Sequence, residues 1–233
     1  RGWAVYCYDK RGLGESEGDF DRGCLTSLAA DAVAAGATLS ERAEIDRRRI
    51  VFLGLGEAGQ VGALAISSGD VYAAAVLGSC AGTEPLFPAL ARHRIRQVLA
   101  PFYQWDAERT KGYEALSVAR WQEWLYEGGD EVVLLHRRAS LRALKHLADV
   151  DMLAALSEVR APVLLLHGEQ DQWTPVDGAR ELESRLQQAG EDRVALQTFP
   201  DLGADLGGGE AGGVFAPIVE ETMFTWLEEV LGD

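Results

Sequence analysis

Short apolar runs alternate with amphipathic stretches along most of the chain, and this pattern predicts an α/β fold. The apolar runs have strand lengths and are bounded by glycine, proline or polar residues. The predicted strands are 3–8, 50–54, 71–77, 162–167 and 194–199. The predicted helices are 26–42, 56–68, 178–189 and 215–231. Because strands and helices alternate, we expect a doubly wound, mostly parallel sheet whose ligands bind beyond the carboxyl ends of the strands.

Residues 84–158 have a different pattern. They contain no strand-like run flanked by turns, and helical spacing over 115–126 and 140–147 indicates helices. We therefore predict a helical lid at 84–158, inserted into a sheet-based core that is formed by 1–83 and 159–233.

Charge and hydropathy disfavour two classes of partner. The 233-residue chain carries a net charge of −15, and its isoelectric point is about 4.7. A field of this sign repels nucleic acid and anionic membranes, and no apolar run approaches the ~20 residues that span a bilayer. We therefore expect no nucleic acid and no membrane partner.

The three cysteines, Cys7, Cys24 and Cys80, are scattered along the chain and odd in number. This pattern argues against a disulfide framework or a zinc site and is typical of a reducing compartment. We expect neither a metal nor a cofactor, and we expect a cytoplasmic location.

A glycine-rich turn joins the second predicted strand to a helix of small residues. It reads Gly54-Leu-Gly-Glu-Ala-Gly59. Three further motifs lie in loops at the same predicted edge of the sheet. They are Asp9-x-Arg11-Gly12-x-Gly14-x-Ser16-x-Gly18, Leu166-His-Gly-Glu-Gln-Asp171 with Pro175, and Phe199-Pro-Asp-Leu-Gly-Ala204-Asp205. Together, and in this order, the motifs make nearly the whole chain resemble an α/β-hydrolase of the serine esterase and peptidase-like branch.

The resemblance implies a catalytic triad of which this chain keeps only the acid. The acid position falls on Asp171, the position of the nucleophilic serine on Gly56, and the histidine position on Ala204. The family's order places the base after the acid, but every histidine of this chain precedes Asp171. These histidines are His93, His136, His146 and His167.

We expect His167 to be a packed or hydrogen-bonded core residue, because it ends a buried strand. We expect the three lid histidines to lie on a solvated helix face, with a lid histidine that reaches the pocket as the alternative. Ser79 and Cys80 follow the third predicted strand at the same edge as Gly56. Cys80 is a conceivable substitute nucleophile, and a small buried cysteine is the other interpretation.

The resemblance also implies a further strand whose loop supplies an oxyanion donor and which precedes Arg1. Without it the sheet would keep unpaired backbone groups. We expect upstream residues, or a partner chain, to complete the sheet.

Attack on a carbonyl needs a nucleophile and a base, so we expect no hydrolysis by a serine mechanism. The resemblance then implies a pseudoenzyme that keeps a lid-covered pocket for a small, fairly hydrophobic molecule, either neutral or cationic. The predicted contacts are the backbone amides of Glu57 and Ala58 and the side chains of Trp121, Trp124, Trp173 and Asp205, with Phe102 and Tyr103 as further walls. Each aromatic residue has ordinary core packing as its alternative.

Two other functions stay open at this point. One is a serine ester or amide hydrolase that was inactivated by substitution, whether by natural loss or by mutagenesis. The other is a lyase, cyclase or isomerase that uses Asp171, Asp205 or Glu57 as an acid or base.

Overall fold

Four parallel strands form the main sheet of a computed structural model. The strands lie side by side in the order β1 (Val51–Leu55), β2 (Ala74–Gly78), β5 (Val163–Gly168) and β6 (Val194–Phe199). The structure describes residues 2–20, 23–127, 131–134, 137–140, 150–208 and 215–232, with the backbone alone at 126, 127, 131–134 and 137–140.

The helices follow the predicted order, with shifts of one or two residues at most ends. They are α1 (Leu25–Ser40), α2 (Glu57–Ser67), α3 (Leu86–Arg94), α4 (Ala100–Tyr103), α5 (Ala107–Glu127), α6 (Met152–Leu156), α7 (Val176–Gln188) and α8 (Pro217–Leu231). A 3-10 turn at Arg47–Arg49 precedes β1, and a π-helical turn at Ile95–Leu99 joins α3 to α4. None of the helices in the described residues has the length and apolar character that a bilayer crossing requires.

Helices cover both faces of the sheet. Successive side chains of a strand point to opposite faces, so Ala75 and Leu77 of β2 pack in one core and Ala74 and Val76 pack in the other. The first core also contains buried residues of α1, α2, α6 and α7, and the second contains the buried face of α8. The chain therefore has the predicted α/β-hydrolase architecture, a doubly wound parallel sheet.

The strand predicted at 3–8 is wrong. These residues have no regular secondary structure, and the side chain of Val5 is 86% exposed. A strand needs a hydrogen-bonded neighbour, and within the described residues nothing pairs with the outer edge of β1. Trp3 instead packs against Phe224 of α8, with ring centroids 6.5 Å apart, beneath the guanidinium of Arg49.

The prediction that 84–158 contains no strand is also wrong. Strands β3 (Glu131–Leu134) and β4 (Arg137–Ser140) form a separate antiparallel pair. The run Val132-Val133-Leu134 consists of good strand formers. The helix predicted at 140–147 begins on a strand residue and otherwise falls outside the described residues, as do His136 and His146.

Candidate functional site

The turn after β1 has the shape of a nucleophile elbow. Gly56 has φ +58° and ψ −119°, a conformation that glycine adopts easily and that is strained for other residues. Its N–H donates to the Gly78 carbonyl at the end of β2, 2.8 Å away. The turn is tight, because a Cβ at Gly54 would lie 2.4 Å from the carbonyl oxygen of Ala58.

Open space lies where a nucleophilic side chain would project. A Cβ built on Gly56 meets no atom within 4 Å. The amides of Glu57 and Ala58 begin α2, and amides of a first helical turn have no acceptor within their own helix. This geometry suits a carbonyl oxygen or an anion at the elbow.

An ion pair between Lys10 and Glu57 flanks the elbow, with each side chain 39% exposed. The sequence analysis missed this pair, because the two residues are 47 positions apart. A signal was present: Lys10 belongs to the first glycine motif and Glu57 to the elbow, and both motifs were predicted at the same edge of the sheet.

The loop after β5 holds Asp171 in a buried set of hydrogen bonds. Asp171 is 2% exposed, and its Oδ1 accepts from the backbone amides of Trp173, at 2.7 Å, and Thr174, at 3.0 Å. Its Oδ2 accepts from the Thr174 hydroxyl. The Asp171 carboxylate thus holds its own loop, as in the loop-capping aspartate that is the alternative to a catalytic acid at this position.

His167 lies directly beneath this loop. It is 2% exposed, and its Nε2 donates to the Thr174 carbonyl oxygen, 2.6 Å away, while Asp171 Oδ2 lies 3.6 Å from the same nitrogen. Burial lowers the pKa of His167, outweighing the opposing effects of the Thr174 carbonyl and Asp171. His167 is therefore the hydrogen-bonded core histidine that the sequence predicts.

Backbone contacts bring the predicted triad positions to one edge of the sheet. The amide of Gln170, next to Asp171, donates to the Leu202 carbonyl at 2.9 Å, two residues before Ala204. The Thr174 hydroxyl lies 3.2 Å from the Ser79 carbonyl and so links the loops after β2 and β5.

Asp205, Cys80 and Ser79 are the remaining candidates at this edge. Asp205 is exposed, and its side chain accepts from the Gly207 amide in its own turn at 3.2 Å. Burial raises the pKa of the Cys80 thiol to about 12, so this cysteine lacks the thiolate that a nucleophile needs. Ser79 has φ +49°, and its buried hydroxyl has no hydrogen-bond partner among the described residues.

The lid tryptophans pack against one another and against α3. Trp121 stacks on Phe87, with ring centroids 4.7 Å apart, and meets Trp124 edge-on at 5.0 Å. Together with Leu125 these rings form a small core between α3 and α5. Trp173 is 64% exposed. It lies in the loop after β5 that contains Asp171, which we call the acid loop. Ligand binding by these tryptophans stays a prediction.

A cleft of about 430 Å³ lies between α3, in the predicted lid, and the loop after β5. Its lid wall includes Arg92 and the half-buried His93, and its core wall includes Thr174 and Asp177. His93 therefore reaches a cavity beside the acid loop rather than a fully solvated surface. Gly56 and Asp171 do not line this cleft. In the described part of the chain, no group of three or more His, Cys, Asp or Glu side chains is arranged to hold a metal ion.

Comparison with known families identifies the family to which the chain belongs. The family model for serine aminopeptidase S33 matches residues 1–202. The chain belongs to this α/β-hydrolase family. A search of curated proteins gave no match.

Solved structures with the same fold include esterases and peptidases. Est1E from Butyrivibrio proteoclasticus, with bound ferulic acid, aligns over 95% of this chain and 75% of its own, at 17% identity and a TM-score of 0.61. An esterase from Pyrococcus furiosus aligns over 95% and 66%, at 14% identity and a TM-score of 0.56. The acylaminoacyl peptidase of Pyrococcus horikoshii aligns over 86% of this S33-family chain at 15% identity and a TM-score of 0.52. The chain spans only 27% of that peptidase.

Proposed function

We propose that this S33-family protein binds a small ligand at the elbow and does not hydrolyse esters or amides by a serine mechanism. The observation that carries the proposal is the residue at the elbow. The turn has the positive φ of a nucleophile elbow, but Gly56 has no side chain and therefore no nucleophilic atom. The open space at Gly56 and the amides of Glu57 and Ala58 support the retained binding role.

The position of the general base supports the same proposal. The residue at the histidine position is Ala204, and residues 200–216 after β6 contain no histidine. His167, the histidine closest to Asp171 in sequence, is buried and donates to a carbonyl oxygen. A site that lacks nucleophile and base keeps only ground-state binding and oxyanion stabilisation, about 10³–10⁴-fold over water in systems where this has been measured.

The proposed ligand is a small, fairly hydrophobic molecule that is neutral or cationic, in a pocket covered by the lid. The acidic net charge of the chain supports this choice of charge. Nucleic acid and membranes are not proposed partners, and the proposed location is the cytoplasm.

A carboxylate-dependent lyase, cyclase or isomerase is the second candidate, and one observation now favours Glu57 within it. The Asp171 carboxylate is saturated with loop hydrogen bonds, and Asp205 accepts a hydrogen bond in its own turn. Glu57 is partly exposed, borders the open space at Gly56 and forms an ion pair with Lys10.

The deciding experiment measures fluorophosphonate labelling and turnover of p-nitrophenyl butyrate and methyl ferulate. We expect neither labelling nor turnover with the native chain. Gly56→Ser, Ala204→His and the double variant are compared, and restored turnover in the double variant alone would favour a hydrolase that has lost its triad by substitution. Labelling of the native chain would overturn the proposal, and Ser79→Ala and Cys80→Ala variants would then locate the nucleophile.

Binding is measured separately, with methyl ferulate as the probe, because it is a neutral ester of the ferulic acid that the Est1E structure contains. We expect saturable binding that weakens in Gly56→Leu, whose side chain fills the open space. Conversion of a substrate by the native chain, with loss in Glu57→Gln, would favour the second candidate instead.

A further inference from the structure

The outer edge of β6 is one of the two edges of the main sheet. Strand β6 pairs with β5 on one side, and within the described residues no strand lies on its other side. Its sequence, Val194-Ala-Leu-Gln-Thr-Phe199, contains no charged residue, no glycine and no proline. An uncharged strand-forming segment of this length, placed at an edge, can pair with a strand of another molecule. The state of its outward backbone groups therefore decides whether this edge is open.

The backbone groups of every second residue of β6 point away from β5. The Arg193 carbonyl accepts a hydrogen bond from the Val163 amide at 2.8 Å, at the start of β5. The Phe199 carbonyl accepts from the Glu169 amide at 2.9 Å, just past the end of β5. Because the backbone groups of successive strand residues alternate between the two neighbours, the odd-numbered residues of β6 face β5. The even-numbered residues of β6 face outward.

Two side chains occupy outward groups in the middle of this edge. The Glu183 carboxylate, on α7, accepts a hydrogen bond from the Leu196 amide, with 2.8 Å between nitrogen and Oε1. The side-chain amide of Gln197 donates to the Thr198 carbonyl at 3.1 Å. A strand of another molecule would need the same amide and the same carbonyl, so both side chains compete with it.

Of these two contacts, the one from Glu183 joins separate elements. Helix α7 is fixed in the first core by Leu182 and Leu186, which are completely buried, and Glu183 follows Leu182 directly. The packing of the helix thus holds the half-buried Glu183 side chain at the strand edge. The contact of Gln197, in contrast, lies within the strand itself and depends on an exposed side chain.

We propose that Glu183 closes the β6 edge of the sheet against pairing with a strand of a second copy of this chain. The carboxylate oxygen takes the place of the carbonyl oxygen that an added strand would offer to the Leu196 amide. This inference is independent of what the elbow binds or catalyses.

Sedimentation velocity over a concentration series tests the proposal on the full chain. Glu183→Ala removes the acceptor, and we expect it to raise the self-association constant by about 10-fold or more, because the freed amide of each copy can form an intermolecular hydrogen bond. Glu181→Ala is the matched control, since it removes a carboxylate from the same helix that pairs instead with Arg185, at 2.8 Å. Glu183→Gln loses the charge but keeps an oxygen acceptor, so we expect it to associate no more than the native chain.

Hydrogen exchange of the Leu196 amide is the second measurement. We expect this amide to exchange more slowly in the native chain and in Glu183→Gln than in Glu183→Ala, because only the first two keep its acceptor. Circular dichroism selects a temperature at which every variant is folded, so that unfolded chains do not contribute to association. Glu183→Met, which keeps the length of the side chain without an acceptor, replaces Glu183→Ala if the smaller residue prevents folding.

Three outcomes would overturn the proposal. The first is equal self-association of Glu183→Ala and Glu181→Ala. The second is an increase in Glu183→Gln as large as that in Glu183→Ala, which would show that charge rather than the hydrogen bond keeps the copies apart. The third is an exchange rate of the Leu196 amide that is the same in the native and Glu183→Ala chains.

Discussion

The elbow after β1 and the loop after β5 that contains Asp171 differ in what holds them together. The acid loop depends on its side chain, because Asp171 accepts hydrogen bonds from two amides and a hydroxyl in the interior. The elbow depends on its backbone, because Gly56 has the required dihedral angles and its amide bonds to β2 without any side chain.

This difference bears on the proposed loss of serine hydrolysis, because a site of this kind would keep its shape without its nucleophile and base. A carboxylate that holds its own loop by hydrogen bonds still contributes to stability when no histidine is bonded to it. A nucleophile that contributes only its reactive atom can be replaced by glycine, which also relieves the strain of a positive φ. The presence of an aspartate at the acid position is therefore weak support for catalysis in this protein.

The largest expected effect comes from removing the Asp171 side chain. Asp171→Ala leaves the amides of Trp173 and Thr174 buried without acceptors, and we expect a loss of about 3 kcal/mol in the free energy of unfolding, measured by urea denaturation. Asp171→Asn keeps an oxygen that can accept from both amides, so its loss should be clearly smaller.

Asp205→Ala is the control for the acid loop. Asp205 is exposed, and we expect a change within about 0.5 kcal/mol, typical of surface substitutions. Equal losses in Asp171→Ala and Asp205→Ala would contradict the view that the acid loop depends on a buried carboxylate.

The sheet and the order of the site motifs could be predicted from the sequence, because both rest on local patterns. Strand β6 was predicted with its observed ends, since Val194–Phe199 is a run of strand-forming residues between turns. Residues 3–8 have the same local pattern, but no neighbouring strand is present among the described residues. A segment forms a strand only where another strand pairs with it, and the local pattern does not show whether such a partner exists.

The contacts at the site could be predicted only in part. The positions of Gly56, Asp171 and Ala204 at one edge follow from chain order and parallel strands. The hydrogen bonds of Thr174 and the ion pair of Lys10 depend on where side chains from separate loops point. The hydrophobic periodicity of the sequence does not determine these directions. Whether Trp121 packs in a core or lines a pocket likewise depends on tertiary contacts, and in this chain it stacks on Phe87.

An intermediate effect is expected from adding a side chain to the elbow. Gly56→Ala places a methyl group in open space, so its cost is the strain of a non-glycine residue at φ +58°, about 2 kcal/mol. Gly54→Ala is the comparison, because its Cβ would lie 2.4 Å from the Ala58 carbonyl oxygen and must displace backbone. We expect Gly54→Ala to cost more in urea denaturation. A Gly56→Ala chain as stable as the native one would show that the elbow relaxes to another conformation, and a crystal structure of the variant would show which.

The smallest of the three effects concerns His167 beneath the acid loop, and it depends on pH. Burial lowers the pKa of His167 in the folded chain, whereas in the unfolded chain the pKa is about 6.5. Below pH 6.5 the unfolded state therefore binds the extra proton, and stability falls as the pH falls. Between pH 7.5 and 5.5 this residue should account for a loss of at most about 1.4 kcal/mol, the limit in which the folded chain gains no proton at His167.

His167→Gln isolates that contribution from the titration of the carboxylates. Its side-chain amide can still donate to the Thr174 carbonyl, but it has no proton to gain, so its stability should fall less than that of the native chain over the same pH interval, by at most about 1.4 kcal/mol. If native and His167→Gln chains lose stability equally, His167 gains its proton in the folded state as well. The acid loop would then accept a charged imidazole, and the case for a purely structural Asp171 would fail.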